Sequence, residues 1–102
     1  MKAGDALERA LRVQLVHFRG AVALLERTSR PWASVTLSGE RHRFALRLEG
    51  ADAGAAADGF VDGLAEREFD LPGHVLADIV LAGEVRDGDV VRLTLEALTV
   101  VD

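Results

Sequence analysis

The 102-residue sequence contains no cysteine, which excludes disulfides, thiol chemistry and zinc–thiolate sites together. It has no tyrosine, and aromatic residues make up only 5% of it. The aromatic platforms on which open sheets stack single-stranded nucleic acid are therefore scarce. No apolar run approaches the ~20 residues that a membrane-spanning helix needs. The first residues, Met1-Lys2-Ala3-Gly4-Asp5, lack a charged region followed by an apolar one, so no secretory signal is expected. A small domain without disulfides fits the cytoplasm. Lysine is nearly absent as well. Lys2 stands alone against eleven arginines, a bias expected of a GC-rich bacterial genome and given no functional weight.

What is present is enough for one core. The apolar fraction is 49%, and residues 1–102 have the length of a single domain. Net charge is −5, unevenly spread. Residues 1–50 carry nine Lys/Arg and five Asp/Glu, a net of +4, while residues 51–102 carry three Arg and twelve Asp/Glu, a net of −9. Either the halves interleave and neutralise each other, or the surface is dipolar with a basic partner site.

Punctuation and periodicity suggest the elements. Asp52 is placed to cap a helix over about 53–67, with Ala56, Ala57, Phe60, Val61 and Leu64 at helical spacing. The Asp58, Asp62, Glu66 stripe reads as its solvated face. Leu71-Pro72-Gly73 then breaks the chain. Residues 32–49 read as a hairpin about a Gly39-Glu40 turn, which sets Val35 opposite Phe44 and Ala33 opposite Leu46. Residues 74–101 read as a second hairpin about Arg86-Asp87-Gly88. That loop sets Leu81 opposite Leu93, Ile79 opposite Leu95, and Asp78 facing Glu96.

The N-terminal third fits two periods. Leu7, Leu11, Leu15, Phe18, Val22 and Leu25 recur at helical spacing, whereas Leu11, Val13, Leu15 and His17 alternate as in a strand. A helix over 5–29 would be ~37 Å long and would overhang so small a domain. A strand at about 10–18 and a helix at about 21–29 are therefore expected. The resulting order, βαββαββ, resembles the ferredoxin-like split βαβ arrangement with an extra C-terminal antiparallel strand. This is a two-layer α+β sandwich. The alternative is αββαββ with one long N-terminal helix.

With both helices on one sheet face, the other face is left open. On these registers it carries Arg12, Gln14, Ser34, Thr36, Arg43, Arg47, Asp78, Arg92, Thr94 and Glu96, with the apolar Val16, Phe18, Trp32, Leu76, Val80 and Leu98. Apolar patches of that kind mark interaction surfaces. The expected function is a non-enzymatic module that forms a homodimer or binds a protein partner there. Its key residues are Arg12, Phe18, Trp32, Arg43, Arg47, Asp78 and Glu96. One alternative is a small enzyme or ligand-binding domain with a pocket between the sheets of a homodimer. Another is weak nucleic-acid or anion binding by the Arg41–Arg47 cluster, which a pI near 5.1 opposes. Asp78 and Glu96 could share a proton or hold a cation, but a cross-strand ionic network is the plainer reading. His17, His42 and His74 lack metal-ligand spacing, and His17 and His42 map to the core side. Ser29, Ser34 and Ser38 lie in no nucleophile elbow. No cofactor or metal is expected.

Overall fold

Ala3, Leu7, Leu11 and Leu15 recur every fourth residue, and with Ala6 they form one apolar helical stripe. In the computed structural model, which describes residues 1–102, helix α1 (Ala3–Gln14) buries that stripe. Asp5 in its first turn and Arg12 in its last complement the helix dipole. The strand expected over 10–18 is not formed. Strand alternation would bring Val13 into the core beside Leu11 and Leu15, yet Val13 is 58% exposed and Val16 68%. His17, expected on the core side, is exposed for the same reason.

The residues expected as a helix over 21–29 instead open strand β1 (Ala21–Ala33), so neither the short helix nor one helix over 5–29 exists. β1 is an edge strand, which is why it tolerates Pro31 and its missing N–H. It pairs with β2 (Ser38–Glu49), and residues 34–37 form the turn. Ser34 closes that turn twice. Its N–H donates to the Leu37 carbonyl (2.7 Å), and its Oγ accepts from the Leu37 N–H (3.1 Å). The Gly39-Glu40 turn is therefore displaced, and Val35 projects into solvent instead of facing Phe44. Closing at 34–37 lets all of β1 pair, with Ser29 opposite His42 and Arg27 opposite Phe44.

Helix α2 (Ala53–Val61) follows, shorter than the expected 53–67. Asp52 precedes it but makes no side-chain cap bond. Gly63 takes a left-handed φ of 68° and turns the chain into a 3-10 turn, Leu64–Glu66. Arg67 reaches back to the carbonyls of Phe60 (2.9 Å), Asp62 (2.6 Å) and Gly59 (3.2 Å), satisfying acceptors that the helix end leaves free.

Strands β3 (His74–Asp87) and β4 (Val90–Val101) form the second hairpin. Its turn is Gly88-Asp89, with Gly88 at φ 58°, and not Arg86-Asp87-Gly88. Leu81 faces Leu95 and Ile79 faces Ala97. Each partner lies two residues beyond the expected one, a shift that keeps Asp78 to Leu81 on their expected faces. Bulges at Ala77 and Ala82 adjust the pairing further along.

The molecule is thus a small α+β domain with two helices and a four-stranded antiparallel sheet, ordered β1-β2-β4-β3. The chain order is αββαββ. The βαββαβ order of the ferredoxin-like arrangement, with its fifth strand, is absent because α1 occupies the place of the first strand.

Both helices lie on one side of the sheet. Phe44, Leu46 and Leu48 of β2 and Val91, Leu93 and Leu95 of β4 are buried with Leu7 and Leu11 of α1. Ala53, Ala57 and Phe60 of α2 join the same core. Each large side chain so buried stabilises the fold by roughly 1.5–3 kcal/mol. Arg27 ties α1 to the sheet through Asp5 (2.7 Å) and Glu8 (2.9 Å). Hydrogen bonds to Asp5 and then Glu8 raise its already high pKa further. Leu93 is fully buried on a central strand, so its truncation leaves a cavity in the core. Leu93→Ala is expected to cost about 2–5 kcal/mol in urea unfolding, whereas Val35→Ala should change stability by less than about 0.5 kcal/mol.

Candidate functional site

The side of the sheet away from the helices has no covering layer. Its residues follow from the registers. One row runs Trp32, Gly39, Val100, Val75. The next on that face runs Arg30, Arg41, Leu98, Asp78, and the next Thr28, Arg43, Glu96, Val80. Further along comes Ala23, Arg47, Arg92, Val85. Five arginines therefore share one surface with the acids Asp78, Glu96, Glu26 beside Ala45, and Glu49 and Asp87 in the row beyond Arg47. Its apolar residues gather toward β3, where Val75, Val80 and Val85 are 50%, 43% and 63% exposed.

Five of the seven residues singled out from the sequence are here: Trp32, Arg43, Arg47, Asp78 and Glu96. Arg43 donates to Glu96 (2.8 Å), and Arg47 donates to Glu49 (3.1 Å). The half-buried Trp32 turns its indole N–H to the Thr99 carbonyl (3.2 Å). Asp78 lies opposite Leu98, not Glu96, because the tighter Gly88-Asp89 turn, offset by one place at the Ala82 bulge, moves its partner two residues along. Glu96 faces Val80 instead, so the expected carboxylate pair is not directly opposed. A shallow hollow of about 430 Å³ crosses this face between Arg30, Arg41, Asp78 and Glu96.

The other two residues are elsewhere. Arg12 sits on α1 and bonds Glu8 at 3.3 Å. Phe18 follows α1 and lies against Gly20 and Gly50, partly buried on the core. Gln14 and Val16 also belong to the α1 region, Ser34 and Thr36 to the β1–β2 turn, and Leu76 to the core side. A side chain at Gly20 would collide with the Phe18 ring and the Glu49 carbonyl, so glycine there is a packing requirement.

A polar chain that the sequence does not announce crosses the covered side. His42 is 3% exposed, with its Nδ1 2.7 Å from Ser29 Oγ and its Nε2 2.8 Å from Thr99 Oγ1. Thr99 Oγ1 in turn donates to the Glu40 carbonyl (3.4 Å). The network assigns one direction: Ser29 donates to Nδ1, and Nε2–H donates to Thr99. Burial favours the neutral imidazole, and both of its nitrogens are satisfied. Ser29 and Thr99 were invisible as its partners because they lie on different strands, brought together only by register. No three metal-ligating side chains converge anywhere in the structure.

Burial holds the His42 pKa below its ordinary value of 6.5, helped by Arg27 and His74 and opposed by Glu40. The unfolded chain then takes up this proton more readily than the folded one. The contribution of His42 to stability is complete above pH 6.5 and is lost as pH falls from there toward the lower folded value. The wild-type denaturation midpoint is expected to drop between pH 7 and pH 5, and His42→Gln should flatten that part of the profile.

No protein-family model matches the sequence, and no curated protein does. Among solved structures, a chain in the virion of a native gene transfer agent particle is similar in fold. The two superpose with a TM-score of 0.67 at 19% identity, over 97% of this chain and 96% of that one.

Proposed function

We infer that this protein is a non-catalytic structural subunit that associates with copies of itself through the uncovered sheet face. The observation carrying this reading is the aliphatic row Val75, Val80 and Val85, exposed along β3 beside a field of arginines and acids. An apolar strip rimmed by charge is what association buries most profitably in free energy. The charged residues set orientation more than affinity, since exposed ion pairs contribute about 0–1 kcal/mol each. The fold likeness supports the same role, because the neighbouring chain belongs to a virion particle and a particle is an assembly of many chains. Fold alone does not transfer function, so the weight of the argument stays with the face.

Light scattering on the purified protein across a concentration series is expected to show a mass above that of the 10.9 kDa chain. Val80→Asp, at an exposed position, should return the mass toward the monomer without changing the circular dichroism spectrum. A strict monomer at high concentration would overturn the reading.

A further inference from the structure

All three strand pairings are antiparallel, so the strands alternate in direction across β1, β2, β4 and β3. The two edges, β1 and β3, therefore run in opposite directions. A second copy laid beside the first in the same orientation would set its β1 antiparallel to β3 and continue the alternation.

The rows decide what would meet. Without stagger, Asp78 of one copy falls beside Arg30 of the next, Val80 beside Thr28, and Val75 beside Trp32. These are an opposite-charge pair, a β-branched pair and an aromatic–aliphatic pair, the kinds of cross-strand pair that stabilise antiparallel sheets. The edges also differ in charge. β1 carries Glu26, Arg27 and Arg30, a net of +1, while β3 carries Asp78, Glu84, Arg86 and Asp87, a net of −2. β3 therefore prefers β1 to a second β3.

Both edges are free to meet. Residues 25–31 are exposed, as are Asp78, Val80 and Leu81. No turn or loop backbone bond falls on residues 27–30 or 78–81. Neither Arg30 nor Asp78 has an ion-pair partner within the chain. Bulges and proline normally protect an edge from indiscriminate pairing. Here the Leu25 bulge and Pro31 bracket Glu26–Arg30, and the Ala77 and Ala82 bulges bracket Asp78–Leu81. The two windows share four rows, Arg27–Arg30 with Leu81–Asp78, so the irregularities favour this register.

We propose that copies of this chain join head to tail, β3 of one beside β1 of the next, with Asp78 paired to Arg30. This rests on the self-association reading above, names its partner as a second copy of the chain, and adds to the face an edge contact between β3 and β1. A contact between two different surfaces closes into a ring or extends as a filament, according to the rotation per subunit.

The absence of cysteine makes a clean test. A disulfide needs Cα atoms about 4.4–6.8 Å apart, which neighbouring strands provide and sheets stacked about 10 Å apart do not. Within one chain, Thr28 and Val80 stand on the two outer strands, three strand spacings or roughly 14 Å apart. Under mild oxidation of the full chain, a mixture of Thr28→Cys and Val80→Cys proteins should yield disulfide dimers. Each alone should yield no more than Val35→Cys, and the double variant should yield a ladder of dimers, trimers and longer species. A thiol-free measurement stands beside it. Arg30→Asp and Asp78→Arg should each lower the mass seen by light scattering, and the two together should restore it. Association without the ladder, or single variants that link to themselves, would overturn this contact while leaving self-association intact. A strict monomer would overturn both.

Discussion

Two short helices can cover only one face of a sheet whose strands run to 12, 13 and 14 residues, and the rest of the structure depends on that one-sided cover. It sends Leu46 and Leu48 of β2 and Leu93 and Leu95 of β4 to the same side, where they meet α1 and α2. It leaves the other side to arginines, acids and a few aliphatic residues. It also explains the elongated outline, 47 × 22 × 20 Å, because the hairpins extend past the helices that support them. The far end, near Trp32 and the Ser34–Leu37 turn, is held by hydrogen bonds more than by packing.

Charge is organised by layer. On the covered side the ion pairs fasten helices to strands: Arg27 to Asp5 and Glu8, and Arg86 to Asp58 of α2. On the uncovered side Arg43–Glu96 and Arg47–Glu49 stay within the sheet and leave Arg30, Arg41 and Arg92 without a partner. Only Arg43–Glu96 joins the positive first half of the sequence to the negative second half, and every other ion pair lies within one half. What remains is a difference between the two edges of one sheet.

Much of this was legible in the sequence. The apolar content and the paired alternating runs indicated an α+β domain with antiparallel hairpins. Face assignments on β2 survived the register error, because His42, Phe44 and Leu46 stay on one side whichever turn closes the first hairpin, whereas the Ala77 bulge turned Leu76 to the core side. Trp32, Arg43, Arg47, Asp78 and Glu96 were therefore placed on the correct face. Residues 10–18 were not legible, since helical and strand periods both fit them and only the exposure of Val13 decides. The bulges at Ala77 and Ala82 have no local signature, and the placing of the turn at Gly88-Asp89 separates Asp78 from Glu96. The partners of His42 lay hidden for the related reason that Ser29 and Thr99 are distant in sequence.

The order of the strands has a kinetic side. β1–β2 and β3–β4 are each joined by a tight turn, so their ladders can close with little loss of chain entropy. The β2–β4 ladder, from Glu49 with Val90 out to Gly39 with Val100, joins segments separated by α2 and all of β3. Phe44, Leu46, Leu93 and Leu95 meet along that seam. The slow step of folding then belongs to the seam and not to either hairpin. The middle of the sheet, which holds the molecule together once formed, is the last part of it that the chain can build.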